Sequence, residues 1–268
     1  MLKDITLGQY FPGNSIAHKL DPRTKILLVT LYIIALFSAK GWMGYAVMAV
    51  TLAACVKVSH VGLRALVRGL KPLVFIIAFT GILNMFFTPD THYLWEWGIL
   101  RVSVKGIENA LFMVIRIMLL VMGTFLMTYT TSPIRLTDGL ESLLNPLKKI
   151  HVPVHELAMM MAIDLRFIPT LIEETDKIMS AQKARGADFE SGKLMERAKA
   201  LIPILVPLFI SAFRRADELA TAMECRCYQG GEGRTKMKQL HYQRNDFAAF
   251  GAAALLTAAV IILKKFGM

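Results

Sequence analysis

The stretch IENALFMVIRIMLLVMGTFLMTY, residues 107–129, decides what kind of protein this is. A helix needs about 20 residues to cross the hydrocarbon core of a bilayer, and this run supplies them outright. Four further apolar runs surround it, at 26–37, 42–58, 72–87 and 247–263. The first is short, but with the polar turn ahead of it, it can complete a spanning helix. The chain of 268 residues is 55% hydrophobic with a mean hydropathy of +0.49. That is too apolar for an ordinary soluble domain. The expected fold class is an all-α polytopic membrane protein with about five transmembrane helices.

Charge then gives orientation. The chain carries 31 Lys and Arg against 20 Asp and Glu, a net charge of +11. In a membrane protein such an excess reports cytoplasmic loops. Four basic residues fall in 1–25, four in the 57–71 connection and 17 in 130–246, whereas the alternate side holds five: Lys40, Arg101, Lys105, Lys264 and Lys265. The N-terminus and the large region are thereby expected in the cytoplasm and the C-terminus outside. Trp95 and Trp97, in the polar connection 88–105, suit a membrane interface. Nucleic-acid binding is not expected, because the basic residues alternate with acids and form no run interleaved with aromatics. Cys55, Cys225 and Cys227 make an odd count with no disulfide framework. The first 20 residues are polar and lack the apolar core of a cleavable signal peptide.

Three domains follow: a membrane domain over 1–130, a large cytoplasmic domain over 131–245 and a last transmembrane helix over 246–268. Asp21-Pro22 and Ser132-Pro133 read as helix starts, a side-chain acceptor before a proline whose missing N–H costs nothing at the first turn. The cytoplasmic domain reads as three helices. The first begins at Ser132-Pro133 and breaks at His151-Val152-Pro153. The second is long, with apolar residues at three- and four-residue steps from Leu157 to Met179, and Pro169 is expected to kink it. The third begins near Ser191 or Gly192. Its oily part, 201–213, holds Pro203 and Pro207 and is too short to span, so it suits the membrane surface or packing between helices. Ala212, Ala216, Ala220 and Ala222 would permit close helix crossing.

Both long helices end on an arginine between small residues. One end is Gln182-Lys183-Ala184-Arg185-Gly186-Ala187-Asp188, the other Met223-Glu224-Cys225-Arg226-Cys227-Tyr228. Either arginine alone could simply complement a helix dipole. Their repetition suggests a working surface. Ala184, Gly186, Cys225 and Cys227 leave each guanidinium unobstructed, and its planar fork of donors matches a carboxylate.

The remaining polar candidates read more plainly. Gly230–Lys236, GGEGRTK, has neither the order nor the preceding strand of a phosphate-binding loop. Cys225-x-Cys227 lacks two further metal ligands, with only His241 near in sequence. Arg116 is costly at mid-membrane and by default functional, yet no acid stands out in the spans, so a structural role paired to backbone or the cytoplasmic helices fits better. Asp164, Arg166, His151, His155, Glu156, Glu173 and Glu174 could form a metal or acid–base cluster. Glu173 and Glu174 beside Lys177 are more simply charge pairs on a solvated helix face. No nucleophile–base arrangement emerges, and catalysis is not expected.

Taken together, these residues resemble the transmembrane (T) component of energy-coupling factor transporters, the EcfT family of ABC-type uptake systems. The resemblance covers essentially the whole chain. It rests on Leu20-Asp21-Pro22-Arg23-x-Lys25, Thr131-Ser132-Pro133, Leu165-Arg166-Phe167-Ile168-Pro169 and the two arginine motifs. The first motif is intact as Ala184-Arg185-Gly186; the second, Cys225-Arg226-Cys227, keeps only the arginine. The resemblance implies a non-enzymatic subunit of a prokaryotic plasma membrane, without cofactor or metal of its own. It implies two crossed coupling helices that dock two ATP-hydrolysing subunits, one through each arginine. It also implies a membrane-embedded substrate-binding (S) component for a vitamin or other micronutrient. Met159, Met160 and Met161 with Ala212 and Ala216 would give that partner an adaptable surface. Two alternatives remain: a T component dedicated to cobalt or nickel, and a stand-alone secondary transporter. The second would need membrane carboxylates and an internal repeat, and neither is seen.

Overall fold

The computed structural model describes residues 10–88, 93–97, 100–189, 194–231 and 239–265. After a short turn of helix, α1 (Ile16–Lys19), the first long helix starts where the sequence places it. Asp21 caps α2 (Pro22–Ser38) by accepting the Arg23 N–H at 2.9 Å, and Pro22 occupies the first position. Next come α3 (Gly41–Ser59), α4 (Leu63–Leu70), a 3-10 turn (Lys71–Leu73) and α5 (Val74–Phe87). Strands β1 (Tyr93–Trp97) and β2 (Leu100–Ser103) pair antiparallel, with Glu96 opposite Arg101. Then follow α6 (Val104–Thr130), α7 (Pro133–Leu144), a 3-10 turn (Asn145–Ile150), α8 (Val154–Ala184), α9 (Leu194–Glu224) and α10 (Arg244–Lys265). The described residues fall into two compact units, one within 8–143 and 240–268, the other within 144–239.

In the first unit, α2 packs against α6 and α10, and α6 against α3 and α5. The most deeply buried side chains are Ala35 and Leu36 of α2, Met48 of α3, Leu66 of α4 and Val260 of α10, all within 1% of complete burial. Lipid tails are as apolar as these side chains, so close packing and internal hydrogen bonds hold such helices together. Those bonds converge on the start of α2. The buried Asp246 carboxylate accepts the N–H of Asp21 at 2.9 Å and that of Gln243 at 2.7 Å, tying the start of α10 to the start of α2. Buried Lys25 donates to the Thr130 carbonyl at 2.8 Å and to the Thr131 hydroxyl at 3.1 Å, tying the end of α6 to the same place. There α7 approaches so closely that a Cβ on Gly139 would meet the Cβ of Pro22 at 3.0 Å.

Several expectations need adjustment. Among the described residues, four helical stretches are long and apolar enough to cross a membrane: Gly41–Ser59, Leu63–Phe87, Val104–Thr130 and Arg244–Lys265. The fifth expected span lies in α2, whose 17 residues fall short of the roughly 20 that a bilayer asks for. The basic stretch around Arg64 and Arg68 is helix α4, continuous with the third span. The connection 88–105 contains the β1–β2 hairpin, which suits the alternation of Tyr93, Trp95 and Trp97; the side chains of both tryptophans lie outside the described set.

Candidate functional site

In the second unit, α8 and α9 have 31 residues each, about 46 Å at 1.5 Å per residue. They follow the break expected at His151, which takes the left-handed conformation with φ 63°. The expected start of the third helix at Ser191 or Gly192 lies outside the described residues. Helix α8 continues through Pro169, and α9 through Pro203 and Pro207.

A clamp of side chains joins the pair. Arg215 of α9 donates to the Glu174 carboxylate at 2.6 Å, and its guanidinium lies 5.7 Å from the ring centre of Phe167. The expected pairing of Glu174 with Lys177 on one helix face is therefore replaced by a bond between helices. A second tie begins at a proline. Pro207 has no N–H, so the carbonyl four residues back, that of Pro203, loses its helical partner. The Gln182 side-chain amide of α8 donates to that oxygen at 3.4 Å. The first residue of the arginine motif thus serves α9 as well as its own helix. The alanines expected at a close crossing, Ala212, Ala216, Ala220 and Ala222, are exposed instead. So is the stripe Leu201, Ile202, Leu205, Val206, Phe209, Ile210 and Phe213.

The two arginine turns have one backbone design. After α8, the Gly186 N–H bonds the Lys183 carbonyl at 3.0 Å, and the Ala187 N–H reaches back to the Gln182 carbonyl at 3.0 Å. Gly186 sits at φ 89°. After α9, the Cys227 N–H bonds the Glu224 carbonyl at 2.8 Å and the Tyr228 N–H the Met223 carbonyl at 3.0 Å. Cys227 sits at φ 53°. Both are Schellman caps, in which one left-handed residue lets two N–H groups satisfy the last open carbonyls. Cys227 does what Gly186 does, although a side chain makes the left-handed region cost roughly 1 kcal/mol. The altered second motif therefore keeps the turn as well as the arginine.

Each turn places its arginine at the residue that closes the helix, with a small residue on either side. Ala184, Arg185, Gly186, Cys225, Arg226 and Cys227 are all exposed. Neither guanidinium has a hydrogen bond or ion pair among the described residues. The arrangement presents two unspent, charge-bearing forks at the ends of two stiff rods. Such a fork can take a carboxylate through paired hydrogen bonds.

The other candidates do not gather. Among the described residues, no three His, Cys, Asp or Glu side chains come together as a metal group would require. From Glu232 to Lys236, GGEGRTK lies outside the described residues. Arg116, expected to pair with backbone or the cytoplasmic helices, pairs with a side chain of its own unit. Its Nε and Nη2 donate to the Tyr45 hydroxyl of α3 at 2.9 and 2.6 Å, with the Phe37 ring 5.6 Å away. Sequence reading missed this pairing because 71 residues separate the two.

Comparison with known proteins now bears on this geometry. A family model described as cobalt transport protein matches residues 13–237. The energy-coupling factor transporter transmembrane protein EcfT of Thermosediminibacter oceani is 55% identical over 261 residues, 97% of this chain and 98% of that protein. The protein of the same name from Ruminiclostridium cellulolyticum is 53% identical over 264 residues, 98% of each chain. That of Bacillus subtilis is 46% identical over 264 residues, 98% of this chain and 100% of its own.

Proposed function

The chain belongs to the family of energy-coupling factor transporter transmembrane proteins, and on that premise we propose that it docks two ABC-type ATPase subunits through Arg185 and Arg226, one subunit per arginine. The observation that carries this reading is the pair of matching Schellman turns, each presenting an exposed, unpaired guanidinium. Movement of the ATPases on ATP binding and hydrolysis is passed along α8 and α9, which the Glu174–Arg215 and Gln182–Pro203 ties make into one lever. The chain itself performs no catalysis and binds no cofactor. ATP and its magnesium belong to the partner subunits.

The lever acts on a membrane-embedded S component, which reorients to release a vitamin or other micronutrient. The exposed stripe from Leu201 to Phe213 supports this part, because so large an apolar face on a helix too short in oily length to span asks for cover. The coupling helices and the N-terminus lie on the cytoplasmic side of a prokaryotic plasma membrane, as the distribution of Lys and Arg favours. The cobalt label of the family model keeps a dedicated metal-ion T component as the second reading.

The test is co-expression of the tagged chain with its ATPases and S component. With Arg185→Glu and Arg226→Glu together, the chain still inserts and keeps its S component, while both ATPases and substrate uptake are lost. Full ATPase retention in that double variant would end this reading. The substrate taken up by the intact complex separates the vitamin from the metal-ion alternative.

A further inference from the structure

A cleft of about 710 Å³ lies in the membrane unit between residues 11–18 and the turn from α3 into α4. Its walls are pinned. The Phe11 N–H bonds the Tyr129 carbonyl at 3.0 Å, and the two rings meet edge to face at 5.3 Å. His18 is 6% exposed and both of its ring nitrogens are engaged. Nε2 donates to the Phe11 carbonyl at 3.0 Å, and Nδ1 accepts from the Ser15 hydroxyl at 2.6 Å. Gly13 lies so near the imidazole that a Cβ would stand 2.8 Å from it. Across the cleft, buried Ser59 donates to the Val56 carbonyl at 2.8 Å.

The basic side chains that line the cleft are, by contrast, free. His60, Arg64 and Arg68 are exposed and have no hydrogen-bonding or ionic partner among the described residues. Among the described residues, no Asp or Glu lines the cleft. Arg64 and Arg68 are four apart and share one side of α4. Gly62 caps that helix without a side-chain acceptor; its carbonyl takes the Ala65 N–H at 2.9 Å, leaving the N–H groups of Leu63 and Arg64 open beside the arginines. A rigid pocket with unpaired guanidinium groups and open helix N–H groups is built for an anion with several acceptor oxygens.

The neighbourhood says which anion. Leu63 and Val67, on the same short helix, are 66% and 58% exposed. Helix α4 runs on into the third span as one continuous stretch, Leu63–Phe87. The arginines therefore stand at the end of a membrane helix, where headgroups lie, with exposed apolar side chains beside them for acyl chains. A free phosphate would use only the cations. We propose that this cleft binds the phosphate-bearing headgroup of an anionic glycerophospholipid, with its acyl chains along Leu63 and Val67. The inference needs only that the chain is embedded in a membrane and does not depend on the docking of ATPases.

The full chain, placed in nanodiscs of phosphatidylcholine with graded fractions of phosphatidylglycerol, is released and its retained lipid counted by native mass spectrometry. Phosphatidylglycerol is retained over phosphatidylcholine, and excess inorganic phosphate leaves it in place. The pair Arg64→Gln and Arg68→Gln lowers that retention about tenfold or more, since each basic side chain near an anionic surface contributes appreciably. Lys264→Gln with Lys265→Gln removes the same charge elsewhere and leaves retention unchanged. Gly62→Asp is the sharper probe. A Cβ there meets nothing within 4 Å, and aspartate is a good helix cap, so it preserves or raises thermal stability while repelling the lipid. The proposal is overturned if the arginine pair can be removed without loss of the preference, if both lipids are retained equally, or if inorganic phosphate displaces the lipid. It is overturned in favour of an acidic protein segment if these variants keep the lipid but lose a co-purifying subunit.

Discussion

The buried polar groups of one unit and the terminal arginines of the other are treated in opposite ways. In the membrane unit, Asp246, Lys25 and Arg116 each find partners inside the unit, on other helices or at their ends. In the unit of α8 and α9, Arg185 and Arg226 are left unpaired at the surface among the described residues. The apolar residues follow suit. The first unit buries Leu36, Met48 and Leu66 in a shared core, whereas along all of α8 and α9 only Val154, Ala158 and Ile204 are buried among the described residues. An unsatisfied polar group in a membrane costs several kcal/mol, so the first unit has to close its hydrogen bonds by itself. The second leaves donors unspent at the ends of its two long helices.

The contrast can be broken at its strongest point first. Asp246→Ala strips the carboxylate from two N–H groups at the joined starts of α2 and α10. The loss is expected at about 3 kcal/mol, as a buried donor left without an acceptor costs 1–3 kcal/mol. It reads out as a marked fall in the thermal midpoint of the purified chain, and an unchanged midpoint would show that the node carries no stability. At the other unit, Arg185→Ala or Arg226→Ala is expected to weaken ATPase retention by about 2 kcal/mol, near thirtyfold in affinity. The thermal midpoint moves little, because surface changes usually stay within about 0.5 kcal/mol. An arginine whose removal unfolds the chain would belong with the membrane unit's kind of polar group.

A smaller effect tests Arg116. Tyr45→Phe removes the oxygen to which its guanidinium donates, with an expected cost of about 1.5 kcal/mol for a hydrogen bond to a charged group. Thermal unfolding measures it, and no change would mean that the arginine has another partner ready. The smallest effect separates the two turns. Gly186→Ala places a Cβ at φ 89°, and Cys227→Gly removes one from φ 53°. The first should loosen its turn and the second tighten its own, each by about 0.5–1 kcal/mol. Hydrogen exchange at residues 186–187 and 227–228 should move in opposite directions; movement in the same direction would mean that the two caps are not equivalent.

Local signals carried a long way here. Asp21-Pro22 announces the start of α2 because a cap needs only adjacent residues, and Arg185-Gly186 announces the end of α8 for the same reason. The second turn was half legible. Arg226 was visible, but Cys227 does not signal a left-handed residue, and its role emerged only from the bonds of Tyr228 to Met223 and Cys227 to Glu224. Glu174 was read against its neighbour Lys177, whereas its partner Arg215 stands 41 residues away. The short hairpin at 93–103 was read as a connection, since two strands this brief give little periodicity to detect.

Composition and local pattern by themselves determined the class of protein, the two long helices α8 and α9 and the arginines at their ends. Each of these depends on residues within a few turns of one another, where helical geometry dictates who meets whom. Tertiary structure alone decided the partners of Asp246, Lys25, Arg116 and Arg215, the service that Gln182 renders to the carbonyl orphaned by Pro207, and the emptiness around Arg185 and Arg226. A charged side chain looks the same in sequence whether it is buried and paired or exposed and waiting. Only the packing of distant helices distinguishes the two, because desolvation and hydrogen-bond geometry are set by what lies across the fold.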